Sequence, residues 1–155
     1  MKLIMFAIIF TASSLIMLSA TNKGDNAMFI ENESKYGFNE TVDKINAELQ
    51  KNDWRISATH DLQETMKKND KVVLPVKVIE TCKPSHSYKI LVLDDERVAA
   101  SMMPCRISVY EKSDGKTYIS RMNAKILAKQ IGGIIDEVMT EAFVEIEDMI
   151  NKFVK

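Results

Sequence analysis

Glycine is scarce in this chain, 5 in 155 residues, and no cluster of them forms a loop that could cradle a phosphate. No Gly-x-Ser-x-Gly element occurs either, so neither a nucleotide enzyme nor a conventional hydrolase is indicated. An excess of one charge is equally absent. Lys and Arg total 21 against 22 Asp and Glu, a net charge of -1, which gives no basic surplus to draw nucleic acid or anionic lipid. There are 2 cysteines, neither near residue 20, so a lipid-modified N-terminus of the bacterial lipoprotein type has nothing to attach to. No internal repeat or low-complexity stretch is present. With 46% hydrophobic and 28% charged residues, the composition is that of an ordinary globular chain of one-domain length.

What is present begins with an apolar N-terminal segment. Lys2 is followed by Leu3 to Phe10, then Thr11 to Ser14 and Leu15 to Ala20, which reads as a secretory signal over residues 1–20 with cleavage after Ala20. Leu18 is bulky where a small residue is usual. The alternative is an uncleaved anchor, since residues 3–20 approach the length that spans a bilayer; membrane contact is expected only through this segment. Either way the chain is expected to be exported, to the periplasm or cell envelope. Residues 21–27 are polar and read as a tether, and residues 28–155 as a single α+β domain.

Within 28–155 the spacing predicts a first strand from Met28 toward Tyr36. A helix follows to about Asn52, capped by Asn39 and with Val42, Ile45 and Leu49 on one face. Trp54 to Ala58 reads as a second strand, Leu62 to Lys68 as a short helical or irregular link, and Val76 to Thr81 as a third strand whose opening Pro75 suits a strand start or an edge. Ser85 to Met102 reads as two short helical pieces broken at Asp94-Asp95. Arg106 to Glu111 and Thr117 to Met122 form a β-hairpin around Ser113-Asp114-Gly115. From Ala124 to near Lys152 the chain is helical, bent or loosened at Gly132-Gly133, with Ile131, Ile134, Ile135, Val138, Ala142, Ile146, Met149 and Phe153 inward. Its acidic residues, Asp136, Glu137, Glu141, Glu145, Glu147 and Asp148, are expected mostly on the solvated face.

Three stretches then carry a resemblance: Gly37-Phe38-Asn39-Glu40-Thr41-Val42; Cys82-Lys83-Pro84 with Tyr88-Lys89; and Met103-Pro104-Cys105-Arg106-Ile107-Ser108-Val109-Tyr110-Glu111 with Gly115 in the turn. In this order, over roughly residues 36–123, the chain resembles the family called domain of unknown function 302. The resemblance implies a two-layer α+β sandwich with a mainly antiparallel sheet, order β-α-β-β-α-β-β-α, a long C-terminal helix and a homodimer. It brings no agreed activity and no catalytic residues, so an enzyme is not favoured. The leader and Met102-Met103, where aliphatic residues are more typical, depart from the family pattern.

Chemistry, if any, points to Cys82 and Cys105, both inside these stretches. Four readings stay open. The pair could form a disulfide, natural in an exported chain. One or both could act as reactive thiols in a redox or sulfur-handling role, Cys82 being helped by a helix start near Ser85 and by Lys83. Cys82, Cys105, His86, Met102 and Met103 could supply soft ligands for Cu(I). Both could also be plain buried packing. His60, beside Asp61, reads as a solvated or capping residue in a turn. The function expected from all this is an exported binding or stress-related envelope module with a small-ligand or metal site near Cys82 and Cys105. A thiol-dependent protein or a purely structural homodimer are its rivals.

Overall fold

The computed structural model describes residues 28–155; the leader and tether assigned to 1–20 and 21–27 lie outside them. Five strands, β1 (Phe29–Glu33), β2 (Arg55–Asp61), β3 (Val76–Cys82), β4 (Cys105–Glu111) and β5 (Thr117–Met122), pair antiparallel in the order β1-β5-β4-β3-β2. The helices are α1 (Phe38–Lys51), α2 (Leu62–Lys67), α3 (Pro84–Leu91), α4 (Ala124–Ile131) and α5 (Gly133–Ile150), with a 3-10 helix over Asp95–Met102 between α3 and β4. The α+β class, the antiparallel sheet and the long last helix are as the sequence led us to expect.

Period-two alternation explains which sheet face is covered. Ile79 pairs with Ile107 and Val109 with Ile119 across neighbouring strands, and all four are fully buried. Each such side chain contributes about 1.5–3 kcal/mol by leaving water. Above them α1 lays down Val42, Ile45 and Leu49, and α5 lays down Ala142, Ile146 and Met149, forming a first core with Trp54 and Phe153. A second cluster, Ile90, Ala99, Ala128, Ile135, Val138 and Met139, joins α3, the 3-10 helix, α4 and α5.

Local chemistry corrects several expectations. Helix α1 is capped by the extended Gly37 with no side-chain bond, so Asn39 lies in the first turn and is not the cap. The hydroxyl of Thr41 donates back to the Gly37 carbonyl (2.8 Å) and meets the Ser34 hydroxyl at 2.7 Å, which ties the first turn to the end of β1 without capping a free amide. Pro75 opens β3, but β3 lies between β2 and β4, so the proline marks a start and not an edge. His60 lies in β2, with Nε2 3.4 Å from Glu80, and not in a turn. Its neighbour Asp61 caps α2 by accepting from the Glu64 amide at 2.8 Å. At the end of the chain the interruption expected at Gly132-Gly133 is a full break: Gly132 adopts φ 81° and ψ -169°, a region open essentially to glycine, and separates α4 from the long α5. Ile131, expected inside, is 52% exposed because the stripe of α5 begins afresh after this break.

Candidate functional site

The two cores do not quite meet. Between them lies a cavity of about 240 Å³, walled by β4 and β5 on the sheet side and by α3, the 3-10 helix and α5 on the other. Trp54, Ile107 and Ile146 come to it from the first core, and Ile90, Val138 and Met139 from the second. Cys82, Cys105, His86, Met102 and Met103, the site residues named from sequence, all line it. They converge because the chain doubles back: α3 ends at Leu91, the 3-10 helix runs Asp95–Met102, and β4 then starts at Cys105 beside the end of β3, with Cys105 opposite Thr81.

Both cysteines are free thiols. Burial pushes the Cys105 thiol up to about 11, and the neighbouring Cys82 adds to the shift by like-charge repulsion. The Cys82 Sγ stands 2.7 Å from the Ser87 hydroxyl on α3, and that hydroxyl donates to the Lys83 carbonyl at 3.1 Å. Lys83 caps α3, as a helix start just after Cys82 required.

One wall is polar and centred on Glu145 of α5. Its carboxylate accepts from Lys83 Nζ (2.8 Å) and Trp54 Nε1 (3.0 Å) at one oxygen, and from His86 Nε2 (3.0 Å) at the other. An ionised carboxylate only accepts, so Nε2 is the ring nitrogen that carries a proton. The other nitrogen, Nδ1, is buried without a hydrogen bond, 3.6 Å from Glu141, which itself holds Lys89 at 2.8 Å. Lys83, His86 and Lys89, three residues apart, thus face Glu141 and Glu145, four apart, and clasp α3 to α5. Burial alone would raise the Glu145 carboxyl, but the bonds from Lys83, Trp54 and His86 hold it below its ordinary range. Deeper, the nearly buried Arg121 of β5 points into the helix layer, donating through Nε to Glu147 at 2.6 Å and through Nη1 to Asn32 at 2.6 Å.

Sequence reasoning missed Glu145, Glu147 and Arg121, and it set the acidic residues of the last helix mainly on a solvated face. Glu141, Glu145 and Glu147 turn instead toward named partners. A signal existed: Arg121 shares the period-two phase of Thr117 and Ile119, which face the core, and an inward arginine demands a carboxylate. No cluster of three or more His, Cys, Asp or Glu side chains able to hold a metal occurs among the described residues.

A two-layer α+β fold with a sulfur-lined cavity between its layers defines the class of protein. Residues 30–153 match the family model described as Domain of unknown function DUF302, and the chain belongs to that family. None of the curated proteins matches it. Among solved structures it is similar to the uncharacterized conserved protein DUF302 from Bacillus stearothermophilus, at 16% identity and a TM-score of 0.72, over 81% of this chain and 97% of that one. At that identity the likeness is one of fold.

Proposed function

We propose that this protein is a binding module whose ligand occupies the cavity between the two cores and touches Cys82 and Cys105. The carrying observation is the cavity itself. Ligand sites are concave and mainly apolar with a few polar groups, and an apolar cavity of about 150 Å³ already admits benzene; here about 240 Å³ stays open. Methionine walls suit such a role, because their thioether chains adapt to different guests. The rival reading, a reactive-thiol protein, rests on Cys82 just before α3, and Cys105 adds nothing to it, since a thiol held near 11 is almost wholly protonated at neutral pH.

The apolar run from Leu3 to Phe10 supports export to the envelope, and sequencing the N-terminus of the chain recovered outside the cytoplasm tests it. The homodimer implied by the family resemblance belongs to the same proposal, with sedimentation as its check.

Toluene is the probe for the cavity. Trp54 is the only tryptophan of the chain and lines the cavity, so its fluorescence should change saturably with toluene. The melting temperature should rise as well, by the equivalent of about 2.7 kcal/mol at a hundred times the dissociation constant. Ala142→Leu, which fills the cavity from α5, should remove both responses. Toluene that leaves Trp54 and the melting temperature unchanged would sink the reading.

A further inference from the structure

Six sulfur side chains face one cavity: Cys82, Cys105, Met102, Met103, Met122 and Met139. The described residues contain only three other sulfurs, Met28, Met66 and Met149. Apolar packing accounts for a methionine or two on such a wall. It does not account for both cysteines standing on that same wall, with a thioether pair, Met102-Met103, delivered to the same place by the 3-10 helix.

We propose that this wall binds one Cu(I) ion through the thiolates of Cys82 and Cys105, completed by a thioether from Met102 or Met103. The inference rests on the reading of the cavity as a ligand site and names one cargo for it. Thiolate and thioether ligands select a soft monovalent ion, whereas Zn(II) in structural sites takes four ligands from Cys, His and carboxylates. The absence of any such cluster of three among the described residues therefore disfavours zinc and leaves Cu(I) open, since a thioether can supply the third ligand.

The balance is simple. Two S–H bonds break, two S–Cu bonds form, two protons pass to buffer, and copper remains Cu(I), so no oxidant or reductant is needed. Two thiolates and one monovalent ion leave one negative charge. Lys83, next to Cys82 in the chain, lies on the same wall to offset it, although it also meets the Glu145 carboxylate.

The test is an anaerobic titration of the purified chain with Cu(I) against bicinchoninate as competing chelator, with proton release followed in weak buffer. One copper per chain should be withheld from the chelator and two protons released per copper. Losing even an outer partner of a metal ligand costs about 10–100-fold in affinity, so Cys82→Ser and Cys105→Ser should each weaken binding at least about 100-fold. Met102→Leu with Met103→Leu should weaken it about tenfold. Undiminished copper affinity in either cysteine variant, or tighter binding of Zn(II) than of Cu(I), would overturn the proposal. Should a cysteine variant not fold, X-ray absorption of the copper-loaded wild type decides: sulfur-only coordination supports the site, and nitrogen or oxygen neighbours refute it. The toluene response of Trp54, measured on the same preparation, separates the two readings. Toluene binding without copper binding defeats this inference alone, and the converse defeats only the apolar-guest reading.

Discussion

Arg121 and Glu147 meet as a two-pronged ion pair between β5 and α5, with side chains only 4% and 19% exposed. A planar guanidinium matched to both carboxylate oxygens ties the sheet to the last helix beside the cavity. Removing one partner strands a buried charge. Glu147→Ala should therefore cost about 3–5 kcal/mol, read as a shift of the urea midpoint, while Arg121→Met with Glu147→Leu should recover most of that loss. A double variant as unstable as the single one would contradict this account.

Gly132 separates α4 from α5 in a backbone region that side chains avoid. No neighbouring atom blocks a methyl group there, so the penalty of Gly132→Ala is conformational. It should destabilise the fold by about 1–3 kcal/mol. Thermal melts of the variant, with circular dichroism to verify retained helix, measure it.

The Glu145 carboxylate, held low by Lys83, Trp54 and His86, makes the clasp sensitive to acid. Its contribution is complete above the ordinary value of 4.5 and is lost as the pH falls through the lower folded value, because the unfolded chain then takes up the proton first. Glu145→Gln should flatten the acid limb of the stability-pH curve and cost roughly 1–2 kcal/mol at neutral pH through weakened bonds to Lys83 and His86. An unchanged acid limb would count against Glu145 as the hub.

The Cys105 thiol, raised from 9.0 to about 11, should alkylate about 100-fold more slowly in the folded chain than in urea at pH 8, and about tenfold faster per unit of pH above that. Its linkage has the opposite sense: stability should fall between pH 9.0 and about 11, where the unfolded thiol ionises first. Peptide mapping after timed labelling of Cys82 and Cys105 separately reads the first effect, and urea midpoints across alkaline pH the second.

The hairpin around Gly115 was legible because Ile107, Val109, Thr117 and Ile119 alternate with polar neighbours, and turn chemistry closes the two runs. Asp94-Asp95 likewise signalled the break that turns the chain back toward β4. The cap of α1 was not legible, since the extended Gly37 takes that position with no side-chain bond and Asn39 falls inside the first turn. Nor was the inward role of Glu145 and Glu147: helical periodicity places them beside Ile146, but their partners come from a loop, a distant strand and another helix.

The sequence by itself determined the α+β class, the element order, the family and the five side chains Cys82, His86, Met102, Met103 and Cys105. Periodicity and turn residues are local properties, and a few short stretches carry the family pattern. Only the tertiary structure decided that these five border one cavity, that both thiols are free, and that the acidic face of α5 is partly an internal one. Volume left between two packed clusters, and charges that must find partners away from water, depend on elements far apart in the chain, and no local spacing specifies them.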